Sequence, residues 1–139
     1  MFATSLYRSL HGLHKVATWI KTKIRHAILA QGTVADDILQ FEALNTGNVP
    51  VTLAEVQVRF PGSPKTVAFP GGVHNVKFPH DLPPGQSCIA IVSPYKLATA
   101  LRESGFSGAT TIVAQFRDAV DRYYRSEPYH FDIERWTQK

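Results

Sequence analysis

A phase break inside an alternating stretch, Leu39 to Phe60, constrains this chain more than any other feature. Leu39, Phe41 and Ala43 fall on one side of an extended segment, with Gln40 and Glu42 on the other, which is the period of a half-buried strand. Asn45-Thr46-Gly47-Asn48 supplies residues that tolerate positive φ, so the chain reverses there as a hairpin or a short arch. Pro50 heads the next run, where a missing N–H does least harm to a ladder. That run starts with Val51 and Leu53 inward and ends with Val56, Val58 and Phe60 inward, leaving Glu55, Gln57 and Arg59 outward. The two phases conflict, so a β-bulge is expected near Ala54-Glu55. Two such strands point to a mainly β, antiparallel sandwich rather than to an active site.

A sandwich needs a strand ahead of Leu39. Trp19 to Leu29 offers one, with Thr22, Ile24, His26 and Ile28 on one face and Lys21, Lys23 and Arg25 on the other. The same letters also fit a helix running on from Leu6, Leu10, Leu13 and Val16 through Ile20, Ile24 and Ile28. We expect a short amphipathic helix followed by a strand, then a loop over Gln31 to Asp37.

Downstream, Pro61-Gly62-Ser63-Pro64 is a turn, Lys65 to Phe69 a short strand and Val73 to Phe78 a brief extended piece. The unbroken apolar run Cys88 to Val92 reads as a strand covered on both faces. Ser93-Pro94 opens a helix that carries Leu97, Ala100 and Leu101 and stops at Gly105. Thr110 to Asp118 and Tyr123 to Ser126 are the last two strands. The tail beyond Pro128, with Tyr129, Phe131, Ile133 and Trp136, is too apolar to stay free and must dock on its own sandwich or a neighbour. The chain thus divides into a basic amphipathic helix or arm, residues 1–18, and a sandwich with an aromatic tail, residues 19–139.

Charge sharpens that division. Residues 1–35 hold five basic side chains and no acidic one, for +5; the rest holds ten basic and eleven acidic, for −1. The basic character therefore belongs to the N-terminal arm, which suits nucleic acid, anionic lipid or an acidic protein as well as a solvated helix face. A single cysteine, Cys88, excludes an intramolecular disulfide, so packing alone must hold the fold. His11, Gly12, His14 and Lys15 interrupt the only candidate signal or membrane-spanning run.

Candidate chemistry is thin. Cys88, His80 and Asp81 contain the types needed for a thiol nucleophile and its base, but a cysteine inside an apolar strand is inert. His11 and His14, or His74, His80 and Asp81, do not complete a four-ligand metal set. Asp118 and Asp121 flank a strand reversal, where aspartate caps the turn through its own backbone. Pro70-Gly71-Gly72 lacks the lysine and helix of a phosphate loop. No catalytic, cofactor-binding or metal residue is expected.

Asn45-Thr46-Gly47 with Pro50-Val51-Thr52-Leu53, Phe78 through Ser87, Leu97 through Gly105, Phe116-Arg117-Asp118 and Tyr124-Arg125-Ser126 occur in an order that resembles a group of uncharacterised bacterial and phage-borne Ig-like β-sandwich proteins. The resemblance covers residues 20–136. It implies an Ig-like or fibronectin-like sandwich with a short helix between two late strands, and it brings no catalytic residue.

The expectation is a non-enzymatic structural or protein-binding module, for example an accessory or decoration component of a phage virion, made in the cytoplasm. Its contacts with other subunits are expected at Leu6, Arg8, Leu10, Leu13, Lys15 and Trp19, and in the tail at Tyr129, Phe131 and Trp136. The alternative is a protein that binds nucleic acid or an anionic membrane surface through the basic arm.

Overall fold

The structure, a computed structural model, describes residues 19–61, 63, 65–68 and 76–137. The helix expected over residues 1–18, His74, and the first half of the piece expected from Val73 to Phe78 lie outside them.

The chain between Trp19 and Leu29 is strand. β1 (Ile20–Gln31) and β2 (Val34–Asn45) form a hairpin whose register runs unbroken from Ile20↔Asn45 to Gln31↔Val34. The loop expected over Gln31 to Asp37 is therefore a two-residue turn, Gly32-Thr33, flanked by strand. Gly32 takes a left-handed φ of 63°, which a glycine at the first central position of such a turn adopts without steric cost. Asp36 and Asp37 concealed the strand because this end of the hairpin extends past the core, where burial imposes no alternation of apolar and polar letters.

β3 (Val51–Arg59) belongs to a different sheet from β2, so Asn45 to Pro50 is an arch between sheets and not a hairpin. Asn45, fully buried, holds it: Nδ2 donates to the carbonyls of Val49 (2.8 Å) and Leu82 (3.0 Å), and Oδ1 accepts the Gly47 N–H at 2.9 Å. The bulge falls where the phase break places it. Leu53 pairs with Asp118 and Glu55 with Arg117, leaving Ala54 as the extra residue between Leu53 and Val56, which face the same core.

Two antiparallel sheets result. β6 (Ser87–Val92) completes the first, in the order β1-β2-β6. The second runs β4 (Thr66–Ala68), β3, β7 (Ala109–Asp118), β8 (Tyr123–Arg125), with β5 (His80–Leu82) also on β3 and β9 (Tyr129–Asp132) also on β7. β6 is fully covered on one face and partly on the other: Cys88, Ala90 and Val92 are buried while Ile89 and Ile91 are half-buried, since a strand at the edge of a three-stranded sheet has less to cover its outer side.

Helix α1 (Pro94–Glu103) starts as its letters dictate, with the Ser93 hydroxyl accepting the Lys96 N–H and Pro94 in the first turn. It buries Leu97, Ala98 and Leu101. The tail is more ordered than a tail: after β9 it forms α2 (Ile133–Thr137). Both sheets, α1 and the tail share one core, in which Phe41, Phe116, Phe131, Leu53, Leu97 and Ile133 are fully covered. Each such side chain contributes about 1.5–3 kcal/mol on leaving water.

Candidate functional site

A gathering of aromatic and charged side chains around a concavity lies where the hairpin passes the tail. A groove of about 200 Å³ is lined by His26 of β1, by Tyr129, His130 and Asp132 of β9, and by Arg135 and Trp136 of α2. Trp136 forms its floor. Its ring takes Tyr95 edge-on at 5.3 Å, His26 tilted at 5.8 Å, and the Arg135 guanidinium at 4.7 Å, a cation–π distance. His26 Nε2 lies 2.7 Å from Asp37 Oδ1, which orients the imidazole across the hairpin. On the far side of α2, Glu134 holds the tail down by pairing with Arg102 of α1 and accepting the Gly108 N–H at 3.1 Å.

The lining combines two imidazoles, a phenol, a carboxylate and a guanidinium with the apolar faces of Phe131 and Trp136, so the groove offers both charge and aromatic contact. The alternation sets His26 on the face of β1 that carries Thr22, Ile24 and Ile28, but its meeting with Asp37 follows from the two-residue turn, which the polar letters hid. The turn at Gly32-Thr33 sets His26 opposite Leu39 and Ile28 opposite Asp37, so His26 and Asp37 are diagonal neighbours on one face of the hairpin.

The residues expected to bind partners are distributed unevenly. Leu6, Arg8, Leu10, Leu13 and Lys15 lie outside the described residues. Trp19 is half exposed, just ahead of β1, and its carbonyl accepts the Thr46 N–H at 2.9 Å. Tyr129 is half-buried, while Phe131 and Trp136 are buried in this chain's own core. The tail thus docks on its own body, and what it presents outward is the rim formed by His130, Asp132 and Arg135.

A second built feature is the reversal after β7. Asp118 is almost fully buried, and its Oδ1 accepts the N–H groups of Val120 (3.0 Å) and Arg122 (2.8 Å). Oδ2 accepts Arg122 Nε at 2.9 Å and the Tyr124 hydroxyl at 2.8 Å. Every lone pair is directed at this chain's own turn, which is capping and leaves nothing for a ligand. Beside it Arg117 bridges Glu55 and Asp121.

The thiol constellation is not assembled. Cys88 sits buried in β6 of the first sheet, whereas His80 and Asp81 stand on β5 of the second, where Asp81 accepts the Thr52 hydroxyl at 2.8 Å. Burial pushes the Cys88 thiol up to about 11, opposite to what a nucleophile needs. Among the described residues no three His, Cys, Asp or Glu side chains are placed to hold a metal ion. Among the same residues no helix is long and apolar enough to cross a membrane. No protein-family model matches the chain, and no curated protein matches it in sequence.

Proposed function

We propose that the chain is a non-enzymatic Ig-like module that attaches to other protein subunits, as an accessory or decoration component of an assembly such as a phage virion does. The observation that carries this reading is the groove over Trp136, whose exposed rim of His130, Asp132 and Arg135 stands on a tail that Phe131, Ile133 and Trp136 anchor in the core. The strand order supports the Ig-like part. First, second and sixth strands share one sheet, third, seventh and eighth the other, with an arch linking second to third, the Greek-key connectivity of such sandwiches. Phe131 and Trp136 serve as internal anchors that fix the tail, and Tyr129 and the groove rim make the C-terminal contact. The apolar stripe Leu6, Leu10 and Leu13, flanked by Arg8 and Lys15 and followed by Trp19, makes the N-terminal one.

The test is capture with the full chain as bait, run beside the variant Leu6→Asp, Leu10→Asp, Leu13→Asp. A protein retained by the parent chain and lost by the variant supports the reading. An identical set of captured proteins opposes it.

The second reading, binding of nucleic acid or an anionic membrane through the basic arm, draws on the exposed row Lys21, Lys23 and Arg25 along β1. Lys23 and Arg25 both lean on Glu42, at 3.4 and 3.1 Å, which lowers the charge this row presents. Binding to duplex DNA and to anionic vesicles, titrated with salt, separates the readings: affinity that falls steeply with salt favours the second.

A further inference from the structure

The ionisable side chains that line the groove over Trp136 are unequally committed. His26 has Nε2 at 2.7 Å from Asp37 Oδ1. Asp132 Oδ1 accepts the Glu134 N–H at 3.1 Å, at the start of α2. Glu134 in turn is held by Arg102 and by the Gly108 N–H. Arg135 differs from all of these. Its guanidinium lies 4.7 Å from the centre of the Trp136 ring and forms no ion pair among the described residues, not even with Asp132 three positions earlier. The His130 ring and the Tyr129 hydroxyl likewise have no hydrogen-bond partner among the described residues. An arginine held against an aromatic ring keeps its fork of N–H donors, whose spacing matches the two oxygens of a carboxylate. At about 200 Å³ the groove is smaller than the cavities of about 300–1,000 Å³ that take cofactor-sized ligands, and suits a single side chain or chain end.

We propose that the groove receives a carboxylate of the partner subunit, from a side chain or a chain end, with the Arg135 guanidinium as its counter-ion and His130 and the Tyr129 hydroxyl as further donors. That the guest belongs to a protein rests on the attachment reading above; the carboxylate chemistry of the groove does not. Donors without a partner outnumber acceptors in the lining, since its carboxylate, Asp132, already has one oxygen on the Glu134 N–H. A cationic guest is disfavoured because the Trp136 ring that would draw it already carries Arg135. A doubly charged phosphate would set its second charge against Asp132. A single carboxylate matches the single guanidinium, with Phe131 and Trp136 supplying apolar contact for the carbon atoms behind it. Asp132 opposes even this guest, and the opposition gives the proposal a sign that can be tested.

Nitrogen-15 NMR of the full chain, titrated with small guests at one fixed ionic strength, tests it. The probes are N-acetylalanine, which carries a chain-end carboxylate, N-acetylglutamate α-methylamide, which carries a side-chain one, and N-acetylalaninamide, which has none. Both carboxylates should give saturable shifts at the Arg135 Nε–H and the Trp136 indole N–H, with a Kd of about 1–30 mM and the Trp19 indole unmoved. The tighter of the two identifies the source. The amide should bind at least about fivefold more weakly, and Arg135→Gln should weaken the carboxylates by about fivefold, since one partly exposed charge pair is lost. Asp132→Asn keeps the oxygen that accepts the Glu134 N–H and should bind them about two- to threefold more tightly. Absence of saturable shifts, equal binding of the amide, or carboxylate binding that Arg135→Gln leaves intact or Asp132→Asn weakens overturns the proposal. If Arg135→Gln unfolds the chain, the amide and Asp132→Asn decide. Carboxylate binding without capture of any protein overturns the attachment reading alone, and capture without carboxylate binding overturns this proposal alone.

Discussion

The Tyr124 hydroxyl donates to Asp118 Oδ2 at 2.8 Å, and so joins the strand that follows the β7 reversal to the carboxylate that organises it. Burial by itself would raise the Asp118 pKa. The N–H of Arg122, the Tyr124 hydroxyl, the Arg122 guanidinium and the N–H of Val120 outweigh that and hold the carboxyl below the usual range.

Asp118→Asn therefore costs stability at neutral pH, by about 1–3 kcal/mol, because the amide presents N–H groups where the turn presents donors. The sign with pH follows from the direction of the shift. A carboxyl lowered on folding stabilises above its unfolded value, near 4, and that contribution is lost as pH falls through the lower folded value. Urea unfolding of both proteins between neutral pH and about pH 2 should show the difference shrinking toward zero at the acid end.

Tyr124 shifts the opposite way. Burial first, then the bond to Asp118, push its phenol from 10.0 up to about 12. Its contribution is complete below pH 10 and disappears as pH rises toward 12. Ultraviolet titration should reveal a late-titrating phenol that Tyr124→Phe lacks, and that variant should lose about 1 kcal/mol at neutral pH.

Asn45→Ala strands the carbonyls of Val49 and Leu82 and the N–H of Gly47. A cost of about 2–3 kcal/mol is expected, against less than about 0.5 kcal/mol for Thr46→Ala next to it, which is exposed. Thermal or chemical denaturation of the pair reads this directly.

Cys88 should resist a thiol reagent in the folded chain at neutral pH and react promptly in denaturant, since its thiol titrates near 11. Rapid labelling under native conditions would contradict the burial described for β6.

Where the letters and the core agreed, the sequence was sufficient. The conflict between Leu53 and Val56 could be resolved only by an extra residue, and the structure puts it at Ala54. Ser93-Pro94 and Gly105 bounded α1 through capping chemistry that acts locally. Legibility failed where a segment serves no core. Asp36 and Asp37 extend a strand held up by its partner across the turn, and such a strand needs no alternation. Ile89 and Ile91 failed for the converse reason: apolar letters do not reveal that β6 stands at an edge. The groove over Trp136 was half visible. Its aromatic tail was plain, but whether that tail would dock at home depended on Ile133 and Phe131 finding room beside Ile112, a matter of packing between distant segments.

Amide hydrogen exchange, measured on the chain alone and within a captured assembly, tests the attachment reading most directly. The account predicts added protection confined to the Leu6–Trp19 region and to residues 129–137. It predicts no change along β3 and at the Asp118 turn. Protection centred on those interior elements, with both termini unaffected, would contradict it.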